Sequence, residues 1–317
     1  MLQRMGFALL CTLLVLFAGP VLAVKGAGLN QTATKPEVVK VGIYLIRAGS
    51  LDITTGAIDV DFYLDFTCEK LCEGNQTKFE VVNGTLKSSV ALDPNDKVNP
   101  TYRVSATVFQ EVNLRQYPFD QHQVKIVIES GIDDSSTIVY AVNQATTAID
   151  PKVFILGWEL NPKPFGDILV QHYQAWNLDY TRYEFTAQLS KPALAGWLKG
   201  LLPAIIIALG GLFSLFITTK NIGNRVAIIT SSLVASVLYH LNFTSRVPPI
   251  GYLTYGDIFM IINYFILLIS LSITIWMIRS DAPEKQPLIA RVNRVELIAV
   301  PSLWLLLHIL NYVLILR

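Results

Sequence analysis

Ile222-Gly-Asn-Arg-Val-Ala-Ile-Ile-Thr-Ser-Ser-Leu-Val-Ala-Ser-Val-Leu-Tyr-His-Leu-Asn-Phe-Thr244 is long and apolar enough to cross a bilayer, yet it carries a line of hydroxyls at Thr230, Ser231, Ser232 and Ser236. A helix rises about 1.5 Å per residue, so about 20 residues cover the roughly 30 Å of hydrocarbon. In lipid each hydroxyl needs a partner, which leaves two uses for such a line: lining water, or packing helix against helix. From this stretch alone both stay open.

Three more apolar stretches flank it, at 195–217, 257–277 and 297–316. With 52% hydrophobic and only 15% charged residues among 317, the composition is that of a membrane protein, although residues 24–192 read as ordinary soluble chain. A formal net charge of +1 points to no nucleic-acid partner. Residues 1–23 read as a secretory signal: Arg4, an apolar run over 7–16, then Val21-Leu-Ala as a small-residue exit. A first membrane anchor is the alternative for the same residues.

Export of residues 24–194 sends the first span inward. Lys220 and Arg225 then lie on the cytoplasmic side, as do Arg279, Lys285, Arg291 and Arg294, while the short outer loop holds only Arg246. Basic residues concentrate on the cytoplasmic side of membrane proteins, so charge and signal agree. The expected topology is multi-pass in a plasma (bacterial inner) membrane, with the amino-terminal domain and the carboxyl terminus extracellular or periplasmic.

Between 37 and 191 the chain reads as short strands. Residues 38–46 are β-branched and apolar, Ala48-Gly-Ser-Leu-Asp and Thr54-Thr-Gly turn, and Val60, Phe62, Leu64 and Phe66 alternate onto one face. The pattern returns at 102–109, 123–128, 137–142, 167–176 and 183–189, which predicts an extracellular all-β sandwich, immunoglobulin-like in layout, ahead of a four-helix transmembrane bundle. Cys68 and Cys72 are four apart in an oxidising compartment, where a local disulfide is plausible and the unbonded pair is the alternative. Two cysteines without a nearby histidine do not make a zinc site, and no acid–base constellation converges, so no metal, cofactor or enzyme activity is expected.

Leu114-Arg-Gln-Tyr-Pro-Phe-Asp-Gln-His-Gln-Val resembles the Tyr/Phe-Pro-Phe-Asp signature of the pentameric ligand-gated ion channels, the Cys-loop superfamily, especially its bacterial members. Other matches follow in the family's order: Val41-Gly-Ile-Tyr-Leu, Ser50-Leu-Asp, Val60-Asp-Phe-Tyr-Leu, Gly157-Trp158, Leu202-Pro203, Arg225-Val226 and Val247-Pro-Pro-Ile-Gly-Tyr-Leu-Thr. The bridging cysteines are absent, with Val124 at one of their positions, as in prokaryotic relatives. Cys68 replaces a customary Trp, and 69–100 is short and lacks the family's Trp-x-Pro-Asp element.

The resemblance implies a homopentamer among membrane lipids, opened by a small-molecule or ion agonist and passing inorganic ions. It divides the chain into a signal (1–23), a ligand-binding sandwich (24–194), three spans (195–278, with 222–244 lining the pore), a short cytoplasmic linker (279–294) and a fourth span (295–317). With the pore helix starting at Arg225-Val226, the axis would be faced by Ala227, Ser231, Val234, Leu238, Leu241 or Asn242, and Ser245, with Val234 and Leu238 as apolar rings that gate by dewetting. Thr230, Ser232 and Ser236 would then bond between helices. Gly223, Asn224 and Arg225 form the selectivity region. With no pore-face carboxylate and with Lys220 and Arg225 at the inner mouth, the lean is slightly toward anion or weakly selective conduction.

Coupling between the domains is expected at Asp52, at Tyr117, Pro118, Phe119 and Asp120, at Lys191, and at Arg246, Pro248 and Pro249. Asp52, Asp120 and Lys191 take positions where the family places a carboxylate–Arg–carboxylate cluster; lysine at its centre lacks the bidentate fork. A ligand pocket would draw on Tyr173, Trp176, Tyr180 and Tyr183, aromatics suited to a cationic or amphipathic ligand, with core packing the alternative for each. His240 and His308 are expected to be neutral partners of neighbouring helices. The competing function is a non-conducting receptor. A transporter would want broken helices and repeats that the spans lack.

Overall fold

The computed structural model describes residues 35–316; the signal expected at 1–23 lies outside the described residues. Eleven strands among them form two sheets. The first runs β4 (Gly84–Ala91), β5 (Thr101–Phe109), β2 (Ala57–Cys68), β1 (Glu37–Ala48), β7 (Ile138–Val142), with β8 (Ala148–Ile149) also on β1. The second runs β10 (Phe165–Tyr173), β11 (Leu178–Ser190), β6 (Gln121–Ser130), β3 (Phe79–Val81), with β9 (Glu159–Leu160) on β11.

Alternation puts the core between them. Val60, Phe62, Leu64 and Phe66 of β2 face Val124, Ile126 and Ile128 of β6 and Phe185 of β11 in one cluster, all with essentially no exposure. Each such side chain contributes about 1.5–3 kcal/mol by leaving water. Strands β3 and β4 were not anticipated within 69–100. They are joined by the turn at Val82-Asn83 but part to different sheets, β3 onto β6 and β4 onto β5, and Asn83 ties the turn to β6 by donating to Lys125 O at 2.8 Å and accepting from Val127 N at 3.0 Å. The sulfurs of Cys68 and Cys72 lie at bonding distance, 2.08 Å apart, and close the loop after β2.

Four helices among the described residues are long and apolar enough to span a membrane. They are α1 (Ala193–Phe216), α2 (Ile222–Thr244), α3 (Tyr255–Arg279) and α4 (Gln286–Ile315). A wider π-type turn at Gly196–Leu201 interrupts α1, a feature that often marks a functional site. The last helix corrects the sequence reading: α4 begins at Gln286, so most of the linker expected over 279–294 is helical. Polar residues there hide the helix from hydropathy, while Pro287 in the first turn marks its true start.

Candidate functional site

The signature turn joins the two halves of the molecule. The first N–H groups of a helix have no intrahelical partner. In α3 two of them donate into the turn, Tyr255 N to Arg115 O at 2.8 Å and Gly256 N to Tyr117 O at 3.1 Å. Thr254 and Asp257 close a reciprocal capping box on the same helix end. Leu114 N donates to the Tyr252 hydroxyl at 3.0 Å, and the Arg115 guanidinium stacks 5.0 Å from that ring.

The apolar tip of the turn plugs into the bundle. Tyr117 packs on Phe243 with ring centroids 5.0 Å apart, and Phe119 lies between Trp197 and Tyr255 at 5.3 and 5.7 Å. Close approach needs glycine: a Cβ on Gly196 would stand 2.8 Å from the Phe119 ring, and one on Gly256 would overlap Phe243. Burial pushes the Tyr117 phenol up, against a smaller pull downward from Arg246.

Asp120 is fully buried at the centre of the junction. Its Oδ1 accepts from Lys191 Nζ at 2.9 Å, and its Oδ2 lies 2.8 Å from His122 Nε2. Burial pushes the Asp120 carboxyl up, but the His122 hydrogen bond and the Lys191 ammonium outweigh it and hold the group below the usual carboxylate range. Lys191 is also boxed by aromatic faces, 4.5 Å from the Tyr117 centroid and 4.9 Å from Trp158.

Asp52 does not join this cluster, which corrects the expected three-charge arrangement. Its carboxylate turns back on its own loop, accepting from Thr54 N at 2.8 Å and Thr55 Oγ1 at 2.7 Å, as short aspartate turns do. Those two bonds hold its carboxyl below the usual range. His122 takes the third place instead, a residue the sequence reading passed over although it stands two after Asp120 on the β6 strand. Arg246 bonds its own helix through Asn242 Oδ1 at 3.0 Å. Pro248 and Pro249 line a cavity of about 570 Å³ at the outer ends of α2 and α3.

Along α2 the four hydroxyls separate. Ser231 is exposed, in one stripe with Ala227, Val234, Leu238, Leu241, Asn242 and Ser245. The opposite face, Arg225, Ile229, Ser236 and Phe243, is buried. Thr230 donates to Val226 O in its own helix at 2.7 Å, and Ser232 packs near Gly211 of α1. Three- and four-residue spacing is what keeps such a stripe on one side. His240 sits off it, with Nδ1 2.9 Å from the Tyr264 hydroxyl and Nε2 3.0 Å from Asp257 Oδ1. His308 is 3.2 Å from Asn263 Oδ1 and stacks on Phe259.

Of the selectivity region, Gly223 and Asn224 are exposed but Arg225 is only 1% exposed. Its guanidinium pairs with Glu296 on α4 and donates to Asn293 Oδ1 at 2.7 Å. Glu296 was missed because it precedes the apolar run from which the fourth span was read.

Tyr173, Trp176 and Tyr180 do come together, with ring centroids 5.5 Å apart for both Tyr173–Trp176 and Tyr173–Tyr180. Arg182, unforeseen, lies 5.6 Å from the Tyr173 ring and bonds buried Glu129 at 2.6 Å. Tyr183 is corrected to the core: it is fully buried, with its hydroxyl on Thr147 at 2.8 Å, because strand alternation turns it inward from β11.

No family model matches the chain. It is similar to the proton-gated ion channel of Gloeobacter violaceus, 25% identical over 314 residues that cover 88% of this chain and 83% of the relative. That likeness runs through most of both halves of a β-sandwich and four-helix architecture whose Tyr-Pro-Phe-Asp turn is seated on the helix bundle, an arrangement similar to that of the pentameric ligand-gated ion channels.

Proposed function

We propose that five copies of this chain surround a pore lined by the exposed stripe of α2, and that agonist binding in the sandwich opens it to small inorganic ions. The stripe itself carries the reading. Val234, Leu238 and Leu241 are 58%, 62% and 64% exposed on a helix whose other face is packed, which leaves one side of α2 free to face four symmetry mates. Small Ala227 and Ser231 would ring the inner end, and Val234 and Leu238 would form the narrow apolar girdle that excludes water when closed.

The relative is gated by protons, so acid is the first agonist to test. At the junction the buried Asp120 carboxylate holds Lys191 on one oxygen and His122 on the other, and weakening either contact would loosen the end of β11 from the signature turn. The clustered Tyr173, Trp176 and Tyr180 support a separate place for an organic agonist in the sandwich.

Ion flux into liposomes holding the purified protein tests the pore, with external pH stepped from 8 to 4. Wild type is expected to conduct on acidification, and Val234→Ala to conduct at a higher pH with a larger resting leak, because a smaller ring dewets less readily. Flux equal to that of empty vesicles for both proteins, across pH and an amine and organic-acid screen, would leave a non-conducting receptor as the better account.

A further inference from the structure

We propose that Glu296 on α4, with Asn293 one turn before it, sets which ions the channel passes by holding the Arg225 guanidinium away from the ion path and cancelling its charge there. The inference rests on the reading of α2 as the pore helix.

Arg225 stands in the first turn of that helix beside exposed Gly223 and Asn224, which on the pore reading would lie at the inner mouth, but its own side chain leaves by the opposite face. There it meets Glu296, also 1% exposed in its side chain, and the Asn293 amide oxygen at 2.7 Å. Without the carboxylate, five guanidinium groups would ring the inner mouth with a net positive field and favour anions. With it, each subunit contributes a neutral pair, and Lys220, two residues before α2, is exposed and in no salt bridge among the described residues.

The pair is poorly built as a stabiliser. Arg225 Nε and Glu296 Oε1 have no hydrogen-bond partner, and taking two charges out of water costs more than an incompletely bonded pair returns. An apolar pair would hold α2 against α4 at least as well. What an apolar pair lacks is a charge near the ion path that a second helix can mask. Asn293 and Glu296 are three apart on α4, so one face of a largely exposed helix presents both partners to Arg225.

Reversal potential under a salt gradient tests this, because it reads selectivity and is independent of how many channels are present. Pentamers are first verified by size-exclusion chromatography. Glu296→Gln removes the masking charge and keeps the shape, so its chloride-to-sodium permeability ratio should rise by about two-fold or more, for a unit charge roughly 10 Å from the path in each of five subunits. Arg225→Gln/Glu296→Gln, which removes both charges, should return to the wild-type ratio. Asn293→Asp adds a second carboxylate without breaking the pair and should move the ratio the other way; it carries the test if Glu296→Gln does not assemble. Wild-type reversal potentials in both Glu296→Gln and Asn293→Asp would overturn the proposal, as would a double variant shifted as far as Glu296→Gln alone. Absence of current in the wild type would instead refute the pore reading on which the proposal rests.

Discussion

Asp120 is a buried charge whose two oxygens are both answered, and its gating role is open to direct test. A carboxylate with no exposure survives in the fold because Lys191 and His122 answer both of its oxygens. Removing one partner of such a buried pair costs about 3–5 kcal/mol, most of it from the charge left behind. Asp120→Asn should therefore abolish opening or demand far more agonist, and Lys191→Gln should shift the response in the same direction by a smaller amount, since His122 still serves the carboxylate. Agonist–response curves, normalised to pentamer recovered, check both; unchanged curves would show that the junction does not relay gating.

Asp120 and Lys191 were legible in the sequence because the turn motif and the end of the last strand are distinctive. His122 and the loss of Asp52 were not. Local hydrogen bonds in a short turn decide where Asp52 points, and no spacing reports them. Tyr183 shows the same limit from the other side: an aromatic near a candidate pocket is inside or outside according to strand register, one residue either way.

Among the elements, α3 carries the most traffic, since its first turn receives the signature turn and its body packs against α2 and α4. The Thr254–Asp257 box orders that first turn. Thr254→Ala should cost about 0.5–2 kcal/mol, read as a lower thermal midpoint of the detergent-solubilised channel, with a larger fall in agonist sensitivity than the same loss elsewhere on the bundle would give. An unchanged midpoint would mean the docked turn alone holds the helix end.

Strands and spans differed in how openly they declared themselves. The alternation in β2 was plain because one of its faces lies in the core and the other does not. Strands β3 and β4 lie at the edges of different sheets, and β4 is mostly exposed, so its residues carry no period to find. The first third of α4 was hidden for the opposite reason: it holds Arg291, Asn293, Arg294 and Glu296, polar residues that break the apolar run, two of which, Asn293 and Glu296, contact Arg225.

Across the sandwich and its junction, Asp65 and Asp120 are two carboxyls, among several that respond, whose effects on stability run in opposite directions with acid. Burial pushes the Asp65 carboxyl up, against weaker bonds from Thr101, Thr146 and Asn143, so the folded chain holds a proton there more tightly than the unfolded one. That contribution is full below the unfolded value near about 4 and fades as pH rises through the raised folded value. Asp120 runs the other way: its contribution is present above about 4 and is lost as pH falls through its lowered value. Thermal midpoints should thus rise on mild acidification and fall below about pH 4. Asp65→Asn should flatten the rise and leave the fall; a rise that persists in Asp65→Asn would assign it to another group.

The glycine seats under the signature turn bear on how far a movement in the sandwich can travel. Phe119 rests against Gly196 and Phe243 against Gly256 with no room for a single methyl group. A joint packed that closely has no play. Any shift of the turn must reappear, undiminished over the first few ångströms, as a shift of α1 or α3, because close-packed groups transmit strain instead of absorbing it. Were the turn to relay agonist binding, sensitivity would then depend less on the strength of the agonist's grip than on the stiffness of the parts beyond the joint.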